Sequence, residues 1–344
     1  MNDFVIGTSA FSDAHVELMK EAGIGWVRQD FPFPFVDRVG GELSTPYRKA
    51  REVAQSWGAR GLNVMGVTPL PGSGGYKPDD AGRMVLHWHS AFPDWAGALG
   101  SDAYLRTYRE VCAFLAGDLH GVVQMWQIAN ELDIELFAGP LNPRQGAGLI
   151  LHGAQGLKNA DPSLMVGPNT AGGGAAYYLY GHLYASPNNH LDYCGVDGYY
   201  GSWAAGGPEN WAPRIAELFT LTQKPVLVNE WGFASKGEVM NEDELRQNRA
   251  GLSACQFRKW PATWDGGHTP EVQAEFVRRV IEGFASQREH LMGMFFYRWE
   301  DQERCWQCGS PDCPLEIAWG LVSVDNTPKP AYHAFRDGVR RLMG

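Results

Sequence analysis

Two Asn-Glu pairs stand where an apolar run of the sequence ends. Asn130-Glu131 follows the run VVQMWQI, and Asn229-Glu230 follows PVLV. Continuous apolar runs of this length indicate buried strands, where a carboxylate is costly unless it is paired or has a task. Two carboxyl groups in one cleft suit hydrolysis of a glycosidic bond, since one can protonate the leaving oxygen while the other attacks the anomeric carbon. We therefore predict Glu131 and Glu230 as catalytic; the alternative is a pair of salt-bridged structural carboxylates.

A third Asn-Glu pair provides a control within the same chain. Asn241-Glu242 lies in VMNEDELRQNRA, where no apolar run precedes it and Glu244 follows the Asn by three residues. That arrangement is typical of a helix cap with acidic residues in the first turn. The dipeptide alone is thus weak evidence, and its position at the end of a strand carries the prediction.

The elements that must position these residues alternate between strand and helix patterns. The apolar runs are continuous, as expected for parallel strands buried on both faces. Eight such runs, each followed by an amphipathic segment, predict a single (β/α)8 (TIM) barrel over 1–344 with extended βα loops. Both Glu residues would then project into one mouth at the carboxyl ends of the strands. The eight runs are 4–8, 26–29, 62–67, 122–128, 164–167, 193–197, 225–229 and 293–299.

The loop after the third strand, 68–100, carries two features of its own. We interpret its Gly-rich piece PGSGG, like AGGGAA further along the chain, as a turn. His87 and His89 have the H-x-H spacing of metal-dependent barrel hydrolases, in which the motif instead ends the first strand. For His89 we expect a position lining the substrate beside Trp88, or simple packing within the loop.

With these motifs, the chain resembles the glycoside hydrolases of clan A, the (β/α)8 retaining β-glycosidases with catalytic Glu residues after strands four and seven. The resemblance covers essentially the whole chain without singling out one family. It implies that Glu131 is the acid/base, that Asn130 contacts the sugar 2-hydroxyl and that Glu230 is the nucleophile.

The resemblance extends to strands two and six. Members of the clan often carry an Arg at the end of strand two, and WVRQD supplies Arg28, which would hold Glu230 ionised; a solvated Arg is the alternative. A Tyr after strand six usually hydrogen-bonds the nucleophile, which leaves Tyr199 and Tyr200 as candidates. Asp197 or Gly198 stands where some families have a His.

The end of strand eight offers further candidates for binding a substrate. A Trp at this point commonly forms the floor of the sugar subsite, and FFYRWEDQ supplies Trp299. The alternative for Trp299 is a place in the core. Glu300 is a candidate for binding a sugar hydroxyl or a plain rim carboxylate, and Asp30 could pair with Arg28 or contact the sugar.

Four cysteines are expected to meet in neighbouring loops. CWQCGSPDC holds Cys305, Cys308 and Cys313 after strand eight, and Cys255 follows strand seven. Four thiolates suit a structural zinc site, with His268 as a spare ligand. Disulfides or free thiols are the alternatives. A zinc ion with four protein ligands has no open position for catalysis.

The charge and composition of the chain limit the kinds of binding partner that we expect. The chain has a net charge of −10, a hydrophobic fraction of 44% and no basic run, so we expect neither nucleic acid nor a membrane as partner. No apolar run reaches membrane-spanning length, and the first residues do not resemble a signal peptide, which favours a cytoplasmic protein. We expect a carbohydrate substrate and no cofactor for catalysis. The other classes of function are a catalytically silent sugar-binding barrel and a metal-dependent barrel hydrolase that uses His87 and His89.

Overall fold

The computed structural model describes residues 4–11 and 13–344, and its centre is a barrel of eight parallel strands. Each observed strand lies at a predicted apolar run, so the predicted (β/α)8 fold is confirmed. The strands follow one another around the barrel in chain order. They are β1 (Val5–Ser9), β2 (Trp26–Asp30), β3 (Asn63–Val67), β4 (Val123–Gln127), β5 (Met165–Gly167), β6 (Cys194–Gly198), β7 (Val226–Trp231) and β8 (Leu291–Phe296).

The barrel has one seam. Among the described residues, β5 and β6 share no strand ladder, and β5 is only three residues long. Single hydrogen bonds cross the gap instead: Asp192 N donates to Val166 O at 2.7 Å and Asp197 N to Thr170 O at 2.8 Å. The Asp192 carboxylate also accepts from Val166 N at 2.9 Å. A side chain therefore replaces part of the missing ladder.

Two layers of apolar side chains hold the barrel together. Met65, Met125, Leu227 and Phe295 belong to four different strands and form one buried cluster. We assign this cluster to the barrel interior, because the neighbouring residues along each strand pack with the helices in a larger core. Both faces of the strands are thus covered, which accounts for their continuous apolar sequence.

Helices surround the strands, and polar side chains fix where several of them begin. Ser44, Ser101 and Thr269 each accept a hydrogen bond from a backbone N–H in the first turn of the following helix. No helix in the described part of the chain is long and apolar enough to cross a membrane. The α-helices are α1 (Val16–Glu21), α2 (Thr45–Ala59), α3 (Asp102–Asp118), α4 (Glu135–Ala138), α5 (Pro143–Ala160), α6 (Gly174–Tyr184), α7 (Trp211–Thr222), α8 (Glu242–Arg249), α9 (Ala254–Phe257), α10 (Pro270–Ala285) and α11 (Pro330–Met343). Short 3₁₀ helices span Asp13–His15, Asp94–Ala96, Pro208–Asn210 and Pro314–Glu316.

The loop after β3 contains a β-hairpin, which the sequence did not predict. Strands Gly72–Pro78 and Met84–Ser90 pair in antiparallel register, so PGSGG is part of a strand and its interpretation as a turn was wrong. Its glycines make room for large neighbours: a Cβ on Gly72 would lie 2.1 Å from the Trp88 ring, and one on Gly74 would lie 2.5 Å from Leu86. We refer to these two strands as the hairpin.

Candidate active site

A cavity of about 1070 Å³ opens at the carboxyl ends of the barrel strands. Its lining brings together five of the predicted site residues, which come from β2, β7 and the segments that follow β4 and β6. These residues are Arg28, Asn130, Glu131, Tyr199 and Glu230. Loops contribute the rest of the wall, including the hairpin, α4 and the segment after β8. The cavity therefore has the position expected of an active site in this fold.

Glu230 lies in β7 with a fixed partner on each carboxylate oxygen. Arg28 Nη1 is 2.8 Å from Oε1, and the Tyr199 hydroxyl donates a hydrogen bond to Oε2. The carboxylate is only 7% exposed, so both contacts act in a poorly hydrated place. A cation and a hydroxyl donor both favour the ionised form of a carboxyl group. The geometry suits Glu230 as a preformed carboxylate nucleophile.

Arg28 connects Glu230 to Asn130. Its Nη2 donates to Asn130 Oδ1 at 2.7 Å and its Nε to Gln127 Oε1 at 2.9 Å, which excludes a solvated strand-end arginine. Asn130 Oδ1 also accepts from Gln127 at 3.1 Å and from Asn169 at 2.8 Å. Three donors thus hold the carbonyl side of the Asn130 amide. Its NH₂ group donates to none of the described residues and is available to a ligand in the cavity.

Glu131 has a different environment in the same cavity. Burial raises the pKa of its carboxyl group well above the usual range, and the nearby carboxylates of Glu230 and Asp133 raise it further. Glu131 forms an ion pair with none of the cations in the described part of the chain. A raised pKa keeps this carboxyl protonated at a pH where an exposed Glu is ionised, as a general acid requires.

The backbone around Glu131 is strained. Ala129 and Glu131 have φ angles of 55° and 43°, a region that residues with a side chain rarely adopt. Hydrogen bonds stabilise the turn, because Ala129 N donates to Thr68 Oγ1 and Glu131 N to Asn169 Oδ1, both at 2.9 Å. Strain of this kind costs about 1–3 kcal/mol per residue and clusters at functional sites. The turn directs Glu131 into the cavity.

A third buried carboxyl, Asp197, lies beside the two Glu residues. It is at the end of β6, and its Oδ2 accepts a hydrogen bond from Asn169 Nδ2. Burial raises the pKa of Asp197 well above its usual range, with additional contributions from Glu230 and Glu131. In the sequence, Asp197 stood out only because it or Gly198 occupies the position where some clan A families have a His. Its position as a polar residue ending an apolar strand was the available signal.

Tyr199 and Tyr200 diverge after β6. Tyr199 contacts Glu230, whereas the ring of Tyr200 packs edge-on against Trp211 at 5.4 Å and does not line the cavity. Of the two candidates for the hydrogen bond to Glu230, Tyr199 makes it and Tyr200 does not, because the chain turns between the two residues and sends their side chains to different cores.

Trp299 is not the floor of the cavity. It is 1% exposed and packs against Tyr332 at 6.1 Å, so the alternative of a core residue applies. The strand β8 ends at Phe296, and the next two side chains, Tyr297 and Arg298, line the cavity instead. Tyr297 packs edge-on against Tyr199 at 5.6 Å. The sequence placed the end of β8 too late, which selected the wrong aromatic residue.

Two more predicted contacts lie outside the cavity lining. Glu300 accepts a hydrogen bond from Phe11 N at 3.0 Å and acts as a local structural carboxylate. His89 is exposed on the outer strand of the hairpin, where its Nε2 lies 3.4 Å from Ser73 Oγ. Asp30, by contrast, lines the cavity near Arg28.

The four predicted cysteines come together. The Sγ atoms of Cys255, Cys305, Cys308 and Cys313 all lie within 4.8 Å of one another, and no disulfide joins them among the described residues. His268 does not join them, because its two ring nitrogens lie 3.0 and 3.1 Å from the carbonyl oxygens of Ala234 and Ala262. His87 and His89 belong to no group of three or more metal-ligating side chains within 4–11 and 13–344.

Comparison with known proteins adds a likeness of fold. No protein-family model matches the chain, and no curated protein does. A GH10 xylanase from Thermobacillus composti superposes with a TM-score of 0.66 at 16% identity, covering 98% of this chain and 97% of the xylanase. GH5_18 from Streptomyces cattleya, in complex with GlcNAc, superposes with a TM-score of 0.64 at 17% identity, covering 99% of this chain and 80% of that one.

Larger glycosidases match over a part of their length. The β-D-glucuronidase of Dictyoglomus thermophilum superposes with a TM-score of 0.57 at 13% identity, and the match covers 97% of this chain but 50% of the glucuronidase. The present chain therefore spans about half the length of that enzyme. At such identities the likeness concerns the fold, and it agrees with the barrel that the resemblance to clan A implies.

Proposed function

We propose that this protein is a retaining β-glycoside hydrolase in which Glu230 is the nucleophile and Glu131 the acid/base. The observation that carries the proposal is the contrast between the two carboxyl groups in one cavity. Glu230 is paired with Arg28 and accepts from Tyr199, whereas Glu131 is buried, forms no ion pair among the described residues and has a raised pKa. One ionised and one protonated carboxyl is the combination that double displacement needs.

In the first step the Glu230 carboxylate attacks the anomeric carbon while the bond to the leaving oxygen breaks. Glu131 transfers its proton to that oxygen, and a covalent glycosyl-enzyme forms. Forming the ester removes the negative charge of Glu230, which is one of the causes that raise the pKa of Glu131. The pKa of Glu131 then falls, so the same carboxylate can deprotonate the water that releases the sugar.

The rest of the cavity supports a carbohydrate as the ligand. Its lining includes Tyr76, Trp203, Tyr297 and Trp306, whose flat apolar faces can pack against sugar rings. The free NH₂ group of Asn130 is placed to donate to a hydroxyl of the sugar that Glu230 attacks. The cavity is large enough for a β-linked oligosaccharide or a segment of polysaccharide, which is the substrate class we propose.

Two measurements test the proposal directly. A screen of aryl β-glycosides is expected to identify a hydrolysed substrate, and NMR of the first product should show the β-anomer before mutarotation. Incubation with the matching 2-deoxy-2-fluoro glycoside should label Glu230, as peptide mass spectrometry would detect. Formation of the α-anomer, or a label on another residue, would contradict the mechanism.

The other classes of function make different predictions. A silent sugar-binding barrel would bind oligosaccharides without hydrolysing any glycoside in the screen. A metal-dependent hydrolase using His87 and His89 would lose activity in both His→Ala variants. The exposed position of the two histidines on the hairpin, away from the lining of the cavity, weighs against that alternative.

A further inference from the structure

We propose that Cys255, Cys305, Cys308 and Cys313 bind one structural Zn²⁺ ion, and that this ion fixes the wall of the cavity. The Sγ atom of Cys255 lies 4.0 Å from that of Cys305 and 3.9 Å from that of Cys313. Tetrahedral zinc with Zn–S bonds of about 2.3 Å requires S···S separations of about 3.8 Å. A disulfide needs only about 2.05 Å between its sulfur atoms. The observed spacing matches ligands around an ion.

The surroundings of the cluster are those of a closed structural site. Three of the four cysteines are buried in a small core with Trp260, Leu315 and Trp319, and none of the four lines the cavity. Four protein ligands leave no coordination position for water or substrate. The ion would therefore take no part in hydrolysis.

A tight turn brings Cys305 and Cys308 together, since Gly309, with φ of 71°, donates its N–H to Cys305 O at 2.7 Å. Cysteine binds a metal ion as the thiolate. Binding of Zn²⁺ therefore releases the remaining thiol protons to solvent and involves no oxidation.

The ligands enclose residues that form part of the cavity wall. Trp306 and Gln307 lie between Cys305 and Cys308, and both line the cavity. The Trp306 ring stacks on Phe137 at 6.1 Å, and Gln307 Nε2 donates to Glu316 at 2.7 Å. An ion that fixes the two flanking cysteines also fixes these two side chains.

Each strand of the hairpin donates a hydrogen bond to a residue that is adjacent in sequence to one of the four cysteines. Tyr76 N donates to Gln307 O at 2.7 Å, and Met84 N donates to the side chain of Gln256 at 2.8 Å. Gln307 immediately precedes Cys308, and Gln256 immediately follows Cys255. The ion thus connects the loops after β7 and β8 to the hairpin, which is the third part of the wall.

Metal analysis of the purified protein tests the first half of the proposal. We expect about one zinc per chain, largely lost in Cys308→Ser and retained in the matched controls Cys112→Ala and Cys194→Ala, whose thiols lie outside the cluster. Replacement of zinc by Co²⁺ in the unaltered protein should give the visible absorption of tetrahedral thiolate cobalt. Absence of bound metal, or four thiols oxidised to disulfides, would overturn the proposal.

Hydrogen exchange tests the second half without relying on enzyme activity. Removal of zinc with EDTA should speed exchange of the hairpin amides, lower the Tm by about 5 °C or more and be reversed by added Zn²⁺. Exchange in α5 serves as the internal control and should not change. If removal of zinc left amide exchange in the hairpin unchanged, the proposal that the ion fixes the cavity wall would be refuted. Because neither readout involves hydrolysis, failure of the proposed function would leave this result unaffected.

Discussion

The ends of β4 and β7 carry the same dipeptide but give its carboxyl group opposite environments. Glu230 is part of the strand, has ordinary backbone geometry and is held by Arg28 and Tyr199. Glu131 lies beyond its strand on a backbone with positive φ and pairs with no cation among the described residues. The local sequence therefore selects the positions of the two residues, and the partners supplied by other strands give each carboxyl group its own environment.

The third Asn-Glu pair shows what the dipeptide does outside the barrel mouth. Asn241 Oδ1 accepts from Glu244 N at 2.9 Å, and Asn241 N donates to the Glu244 side chain at 2.8 Å, which is the predicted capping box. Glu242 is exposed in the first turn of α8. It offers a matched control for substitutions at Glu131 and Glu230.

Loss of Glu230, the proposed nucleophile, should have the largest effect. Glu230→Ala is expected to lower kcat by on the order of 10⁴- to 10⁶-fold, since no other group can form the covalent intermediate. Steady-state hydrolysis of the best aryl β-glycoside measures the effect. The control variant Glu242→Ala should retain full activity. If Glu230→Ala and Glu242→Ala lost comparable activity, the distinction between the Asn-Glu pair at the strand end and the one at the helix cap would fail.

Loss of the acid should depend on the leaving group. Glu131→Gln is expected to lower kcat by about 10²- to 10⁴-fold for a substrate with a poor leaving group. A dinitrophenyl glycoside needs no protonation to depart, so its first step should be affected much less. Burst kinetics would separate the two steps. An equal loss of the first step for both substrates would contradict the role of Glu131 as an acid.

Removal of the hydroxyl that contacts Glu230 should have a smaller effect. Tyr199→Phe is expected to reduce kcat by about 10- to 100-fold. This reduction corresponds to the loss of a hydrogen bond to a charged group, which contributes about 1.5–3 kcal/mol. Tyr200→Phe is the neighbouring control and should remain within about twofold, because its ring packs on Trp211. If the two variants had similar kcat values, the hydrogen bond from Tyr199 to Glu230 would not contribute to catalysis as proposed.

The raised pKa of Glu131 should appear in the stability of the protein. Above the ordinary pKa of 4.5 the unfolded chain releases this proton while the folded protein still binds it. Stability is therefore lost as the pH rises from 4.5 to the pKa of the folded state. Glu131→Gln removes this dependence, so the Tm of the variant should rise relative to the Tm of the unaltered protein as the pH increases above 4.5. A constant difference in Tm would mean that Glu131 is ionised in the folded state.

The smallest effect is expected at the helix cap. Asn241→Ala should lower the free energy of unfolding by about 1 kcal/mol, because it removes the hydrogen bond to Glu244 N. Urea denaturation measures the difference, and kcat should be unchanged. A lower kcat in this variant would show that the start of α8 affects the geometry of the cavity.

The sequence predicted the parts of this molecule that depend on local patterns. Continuous apolar runs identified the eight strands, and polar residues at their ends led to Glu131 and Glu230, while the resemblance to clan A led to Arg28. Asn169 and Gln127 were missed because their importance arises only when strands distant in sequence meet. Trp299 was assigned to the cavity because an error of three residues in the end of β8 changes which aromatic side chain faces the mouth.

The hairpin shows a different limit of pattern reading. Gly72 and Gly74 were interpreted as turn residues, yet they make room for Trp88 and Leu86. A glycine that flexes the backbone and a glycine that admits a neighbouring ring look identical in the sequence. The packing partner distinguishes them, and that partner is found only in the folded chain.

The seam between β5 and β6 gives the barrel one compliant side. Local opening costs least where a few single hydrogen bonds replace a ladder. Asn169 and Asp197, which lie close to Glu131, are on opposite sides of this seam, whereas Arg28 and Glu230 belong to strands that pair with a neighbouring strand on each side. We therefore expect thermal fluctuation of the barrel to affect the surroundings of Glu131 more than those of Glu230.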